Sequence, residues 1–175
     1  MEKRMIRCTY DQLEELDAFY DKVTEHLENT INYPIWRRGE YPGRESIKEA
    51  IAKGTQYMCV IDGKAVGAFV LNTEPGGDYD AGDWSVQLVE GEYLIIHTLA
   101  VLPELGGKGI GGHMVRYCVE RAKEEGYKAV RLDVVPGNTP ARHLYEKEGF
   151  TFAGEKDLRR GYDDIPTFML YELNL

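Results

Sequence analysis

The chain has 175 residues, within the roughly 100–200 of a typical single domain. Its 21 Lys and Arg stand against 30 Asp and Glu, a net charge of −9, which excludes a chain-wide basic surface for nucleic-acid phosphates. Hydrophobic residues at 43% with 29% charged describe a folded chain rather than a disordered one.

Cys8, Cys59 and Cys118 have no CxxC spacing, so neither a disulfide framework nor a metal site is legible. The N-terminal MEKRMIRCTYDQLEEL lacks the apolar core of a signal peptide. The apolar run 93–102 is broken by His97 and Thr98 and is too short to span a bilayer. These features predict a cytoplasmic protein with no membrane and no nucleic-acid partner.

In chain order, residues 4–9 read as a short strand. Thr9 and Gln12 match a capping box, and Leu13, Leu16, Tyr20, Val23 and Leu27 place an amphipathic helix over 11–28. Residues 31–45 form a loop rich in Pro, Gly and aromatics. A short helix follows at about 45–53, with Gly54 as its stop. Two strands joined by Asp62-Gly63 read as a hairpin with a type I′ turn. The connection 74–92 carries Glu74, Asp78, Asp80, Asp83, Glu90 and Glu92 and no Lys or Arg. A buried strand spans 92–101, and a glycine cluster opens a helix that runs to about 125. A strand at 128–135, a helix from about 139, and strands at 150–155 and about 166–173 complete the chain. The order βααβββαβαββ predicts one α/β domain, residues 1–175. Its sheet is mixed and mostly antiparallel, with about seven strands and helices on both faces.

Five of the 19 glycines, Gly106, Gly107, Gly109, Gly111 and Gly112, lie between a strand and a helix. Backbone N–H groups in such a turn converge on one point, and the helix start adds a positive dipole end. A phosphate or pyrophosphate is the natural occupant. A Walker A loop requires Ser or Thr after the lysine, and Lys108 is followed by Gly109. A dinucleotide fingerprint matches formally at Gly107, Gly109 and Gly112. However, Leu102–Leu105 separates the strand from the first glycine, and there is one β-α-β unit.

The stretch from Leu99 to Phe150 resembles the GNAT family of N-acetyltransferases, which bind acetyl-CoA. That family carries Arg/Gln-x-x-Gly-x-Gly/Ala between its fourth strand and third helix. Gly109 and Gly111 fit, and Gly106 stands where Arg or Gln is usual. A second signature appears as Asn138, Ala141, Leu144-Tyr145-Glu146 and Gly149-Phe150. From 103 to 147 there are eight Lys and Arg against six Asp and Glu, so this stretch is slightly basic inside an acidic chain.

The resemblance implies acetyl transfer from acetyl-CoA to a primary amine by direct attack in a ternary complex, without a metal. It implies that the backbone of Leu99, Ala100 and Val101 binds the pantetheine arm and that donors near Leu99 stabilise the oxyanion. The turn Gly106, Gly107, Lys108, Gly109, Ile110, Gly111 and Gly112 would hold the pyrophosphate. Asn138, Ala141 and Arg142 would lie along the cofactor, and Tyr145 would protonate the departing thiolate. The base would be His97, Glu92 or water. Tyr33, Trp36 and Tyr41, with Trp84, would wall the acceptor, a small-molecule or peptide amine. The acidic connection would either attract that amine or serve as a solvated loop. Asp133 is expected either to orient a water or to pair with Arg131, with the pair preferred. A homodimer is a family-level expectation. Two other classes remain open on sequence: a CoA-binding sensor or interaction module without turnover, and an NAD-binding oxidoreductase.

Overall fold

The computed structural model describes residues 2–175. Local chemistry sets the element boundaries. The Thr9 backbone N–H donates to Gln12 Oε1 at 2.7 Å, and Thr9 Oγ1 accepts from the Asp11 N–H at 3.3 Å. This cap leads through a 3-10 turn into helix α1, Leu13–Asn29. In the hairpin, Asp62 and Gly63 have φ of 51° and 76°, the two positive values that a type I′ turn requires. Gly126 and Gly149 carry positive φ just beyond helices, where a left-handed residue ends the helix.

Among the described residues there are seven strands and four α-helices: β1 Arg4–Arg7, α1, α2 Arg44–Ala52, β2 Gln56–Ile61, β3 Lys64–Asn72, β4 Tyr93–Val101, α3 Ile110–Glu124, β5 Ala129–Val134, α4 Thr139–Lys147, β6 Thr151–Lys156 and β7 Phe168–Asn174. The sheet order is β1-β2-β3-β4-β5-β7-β6. β4 and β5 run parallel, in register from Tyr93↔Ala129 to Ile95↔Arg131. The β1–β2, β2–β3, β5–β7 and β6–β7 pairs are antiparallel. This is the mixed α/β sheet that the element order predicted.

The residues group into two compact units. The first holds 2–71 and 97–114; the second holds 72–96 and 115–175. The first unit has its own core of Leu16, Phe19, Tyr20 and Val23 from α1, Ile47 and Ile51 from α2, and Met58, Val60 and Ala68 from the hairpin. The second unit's core joins Tyr93, Ile95, Ala129, Phe168 and Leu170 of the strands to Tyr79 and Trp84 of the long connection. That connection is therefore anchored, not free in solvent. Its Asp78 and Asp83 N–H groups donate to the carbonyls of Leu158 and Ala153.

Candidate active site

In the first unit, β4 contains a backbone feature that no residue pattern announces. Thr98 has φ of 48°. A β-branched residue there is a true outlier, with a cost of about 1–3 kcal/mol. It sits just past the point where β4 divides between the units, and β4–β5 pairing ends three residues before it, at Ile95. The Thr98 carbonyl accepts a 2.9 Å hydrogen bond from the Tyr20 hydroxyl, inserted from α1. His97, Leu99 and Val101 are half-buried, and Ala100 is buried against the first core.

Beyond β4, the chain makes a 3-10 turn at Pro103–Leu105 and then the glycine turn. Gly106 is extended (φ −60°, ψ 146°), whereas Gly107 and Gly109 have φ of 75° and 80°. The positive values explain two of the glycines, since a side chain there is strained. The Gly109 carbonyl accepts the His113 N–H, so α3 starts at Ile110. The N–H groups of Ile110, Gly111 and Gly112 thus have no acceptor within the helix. A Cβ built at Gly107 or Gly109 meets nothing within 4 Å, so the turn is open. Lys108 is exposed and forms no ion pair among the described residues. Unsatisfied donors, an open turn and a free ammonium fit a phosphate group.

The loop 31–45 also belongs to the first unit. Asn32 clamps the Trp36 backbone through bonds of 2.8 and 3.0 Å. The Trp36 ring meets Tyr20 edge-on at 6.3 Å. Arg38 grips both Asp21 carboxylate oxygens at 2.8 and 3.0 Å and lies 3.5 Å from Glu25. Arg44 bonds Glu14 at 2.5 Å and Asp17 at 3.3 Å. These arginines hold the Asp21 and Glu14 carboxyls below the usual carboxylate range. Tyr33 is half-buried and Tyr41 is exposed.

The other candidates lie in the second unit. Asn138 is the N-cap of α4, its side chain accepting from the Ala141 N–H at 3.3 Å. Arg142 donates to the Tyr171 hydroxyl and to the Pro136 carbonyl, both at 3.3 Å. Tyr145 is buried, and its ring packs edge-on against Phe150 at 5.6 Å. Its hydroxyl has no hydrogen-bond partner among the described residues. Burial, then the nearby Cys118 and Asp133, push the phenol pKa up, which keeps it protonated.

Two sequence expectations are corrected here. Asp133 does not pair with Arg131. It takes two 2.8 Å bonds from Arg160 and a 2.5 Å bond from the Tyr79 hydroxyl. Arg131 instead lies buried between aromatic rings, 4.0 Å from Trp84 and 4.4 Å from Tyr93, and donates to the Val86 carbonyl at 2.8 Å. Trp84 is accordingly no open wall for an acceptor. Its ring is buried under that guanidinium, and its Nε1 donates to the Tyr79 carbonyl. Arg131 faces Glu172 across the β5–β7 ladder, and buried Glu172 accepts both the Ser85 N–H and its hydroxyl. Polar side chains on β5 and β7 thus anchor the connection 74–92.

The acidity of that connection is partly neutralised. Asp83 pairs with Lys156 at 3.0 Å and Asp78 with Arg159 at 3.9 Å. Glu92 bonds Lys128 at 2.8 Å and the Val89 N–H at 2.9 Å. Both bonds lower its pKa and weaken it as a base.

Residues 16–150 match the family model described as the acetyltransferase (GNAT) family. An uncharacterized N-acetyltransferase of Methanocaldococcus jannaschii is 28% identical over 106 residues, 61% of this chain and 42% of that protein. The chain thus spans less than half of that relative's length. A GNAT-family acetyltransferase from Streptococcus agalactiae has the same fold, with TM-score 0.79 at 16% identity over 99% of this chain and 95% of the other. The PaiA N-acetyltransferase of Thermoplasma acidophilum, solved in complex with coenzyme A, reaches TM-score 0.71 at 16% identity with 100% of both chains covered. With a family match running from α1 to the end of the second signature, the chain belongs to the acetyltransferase (GNAT) family.

Proposed function

We propose that the protein transfers the acetyl group of acetyl-CoA to a primary amine, the amine attacking the thioester directly. The observation that carries this reading is the open turn at Gly107 and Gly109, leading into a helix start with unsatisfied N–H groups. The CoA complex of the Thermoplasma relative supports the same ligand. Acetyl-CoA supplies an acetyl thioester, whose carbonyl is the electrophile.

The protein's part divides by residue. The N–H groups from Gly107 to Gly112 hold the pyrophosphate, and Lys108 adds a positive charge. Backbone groups of Leu99, Ala100 and Val101 bond the pantetheine arm as an added strand would, and the Leu99 N–H faces the developing oxyanion. Asn138, Ala141 and Arg142 line the cofactor. His97 takes the proton from the ammonium form of the acceptor. An imidazole is the side-chain type suited to that task near neutral pH, whereas Glu92 is held by Lys128. As the C–N bond forms and the C–S bond breaks, Tyr145 donates to the departing sulfur. Tyr33, Trp36 and Tyr41 face the acceptor, a small-molecule or peptide amine.

Thermal shift with CoA, acetyl-CoA and NAD, followed by thiol release across a panel of amines, tests the assignment. Stabilisation by CoA and acetyl-CoA and amine-dependent thiol release are expected. Stabilisation by NAD alone overturns it. CoA binding without turnover on any amine favours a binding module.

A further inference from the structure

Tyr20 lies outside both family signatures, yet it is the side chain bonded to the most strained residue of β4. It is 1% exposed. Its ring is fixed by edge-on contacts with Phe19 at 5.1 Å and Trp36 at 6.3 Å. Its hydroxyl is placed 2.9 Å from the Thr98 carbonyl oxygen, with the Gln56 side chain also in bonding reach. Burial pushes its pKa well up, so it remains a proton donor at any working pH.

The Thr98 carbonyl and the Leu99 N–H belong to one planar trans peptide, so they point in opposite directions. A donor that fixes the carbonyl therefore fixes the N–H. Thr98 has φ of 48°, a value its β-branched side chain disfavours, so the peptide needs an external hold. We propose that Tyr20 is a positioning residue, its hydroxyl bond to Thr98 aiming the Leu99 N–H at the acetyl oxygen. This rests on the acetyl-transfer reading given above. It also links the loop 31–45 to the reacting peptide, because Trp36 packs on the ring that carries the hydroxyl.

The test is Tyr20→Phe, which keeps the ring and removes the bond. The wild type and the variant are compared for kcat, KM for acetyl-CoA, Tm and the Leu99 amide resonance. Misaiming one oxyanion donor is expected to lower kcat by about 10- to 100-fold, with KM within about twofold. Loss of one hydrogen bond shifts Tm by only about 2–4 °C. The Leu99 amide should move more than the amides of β2 and β3. Unchanged kcat overturns the proposal, as does a parallel collapse of kcat, KM and Tm, which would mark a merely structural tyrosine. If the wild type releases no thiol with any amine, the transfer reading fails by itself. The Leu99 amide then decides the matter: a shift in Tyr20→Phe sustains the positioning of that peptide, and an unmoved amide refutes it.

Discussion

Replacing Tyr145 with Phe separates binding from chemistry. The ring sits at 7% exposure with its edge against Phe150, and both features survive in Phe. The hydroxyl has no partner among the described residues, so no buried bond is broken and stability should change by less than about 1 kcal/mol. The kinetic cost is larger. A positioned proton donor is worth about 10²- to 10⁴-fold, or about 2.7–5.4 kcal/mol at 1.36 kcal/mol per decade. From ordinary values near 10 and 8.5, complete transfer from a phenol to a thiolate is uphill by about 2 kcal/mol, and burial widens that gap. The hydroxyl thus acts on the sulfur first as a hydrogen-bond donor, which points to the lower half of that range. In a thiol-release assay, kcat should fall at least about 100-fold while KM for acetyl-CoA holds. The pH profile supplies a second check. An acid must be protonated to work, and a pKa raised above 10 is lost only at still higher pH. No falling limb from Tyr145 is therefore expected below about pH 10. A kcat within about threefold of wild type, on the same scale, refutes the role, as does a limb near pH 8–9 that disappears in the variant.

Gly109→Ala places a side chain at φ of 80° with nothing within 4 Å. The expected effect is backbone strain of about 1–2 kcal/mol and weaker CoA affinity by calorimetry; unchanged affinity would remove the turn from the site. Arg160→Met leaves Asp133 without its bidentate partner at sites only 15% and 12% exposed. It should cost about 3 kcal/mol, read as a Tm loss of about 6–12 °C. Arg38→Gln should speed hydrogen exchange across Arg37–Tyr41 while α1 stays protected. The Asp21 and Glu14 carboxyls are depressed in the folded chain. Their support is thus full above the ordinary carboxylate range of about 4 and is lost as pH falls through the depressed values. Loop protection, taken relative to the intrinsic exchange rate at each pH, should therefore fall below that range and hold between pH 5 and 8. His97→Ala should remove the acidic limb of the pH–rate profile; an intact limb near neutral pH would assign the base elsewhere.

Local signals in the sequence were specific enough to place most of the fold. Thr9 and Gln12 marked a helix start, Asp62-Gly63 marked a turn, and the glycines at 107 and 109 occupy conformations that other residues resist. The family signatures pointed to the glycine turn and to Tyr145. What escaped depended on contacts distant in sequence. Nothing in the pattern YLIIHTLAV shows that Thr98 turns left-handed, and Tyr20 reads as one more apolar helix position until its hydroxyl is seen 78 residues away in sequence. Asp133 found its partner 27 residues on, in the β6–β7 connection, because Arg131 was already buried between two rings. The acidic run 74–92 was misleading as a tally of charge, since bases from other segments pair with Asp78, Asp83 and Glu92.

The most direct test of direct attack in a ternary complex is a single-turnover experiment. Excess protein is mixed with acetyl-CoA labelled in the acetyl group, with and without an amine from the accepted panel. The account predicts no thiol release and no labelled protein without amine, and release matched one for one by labelled amide when amine is present. A thiol burst stoichiometric with acetyl-CoA and label bound to the protein before amine is added would contradict it.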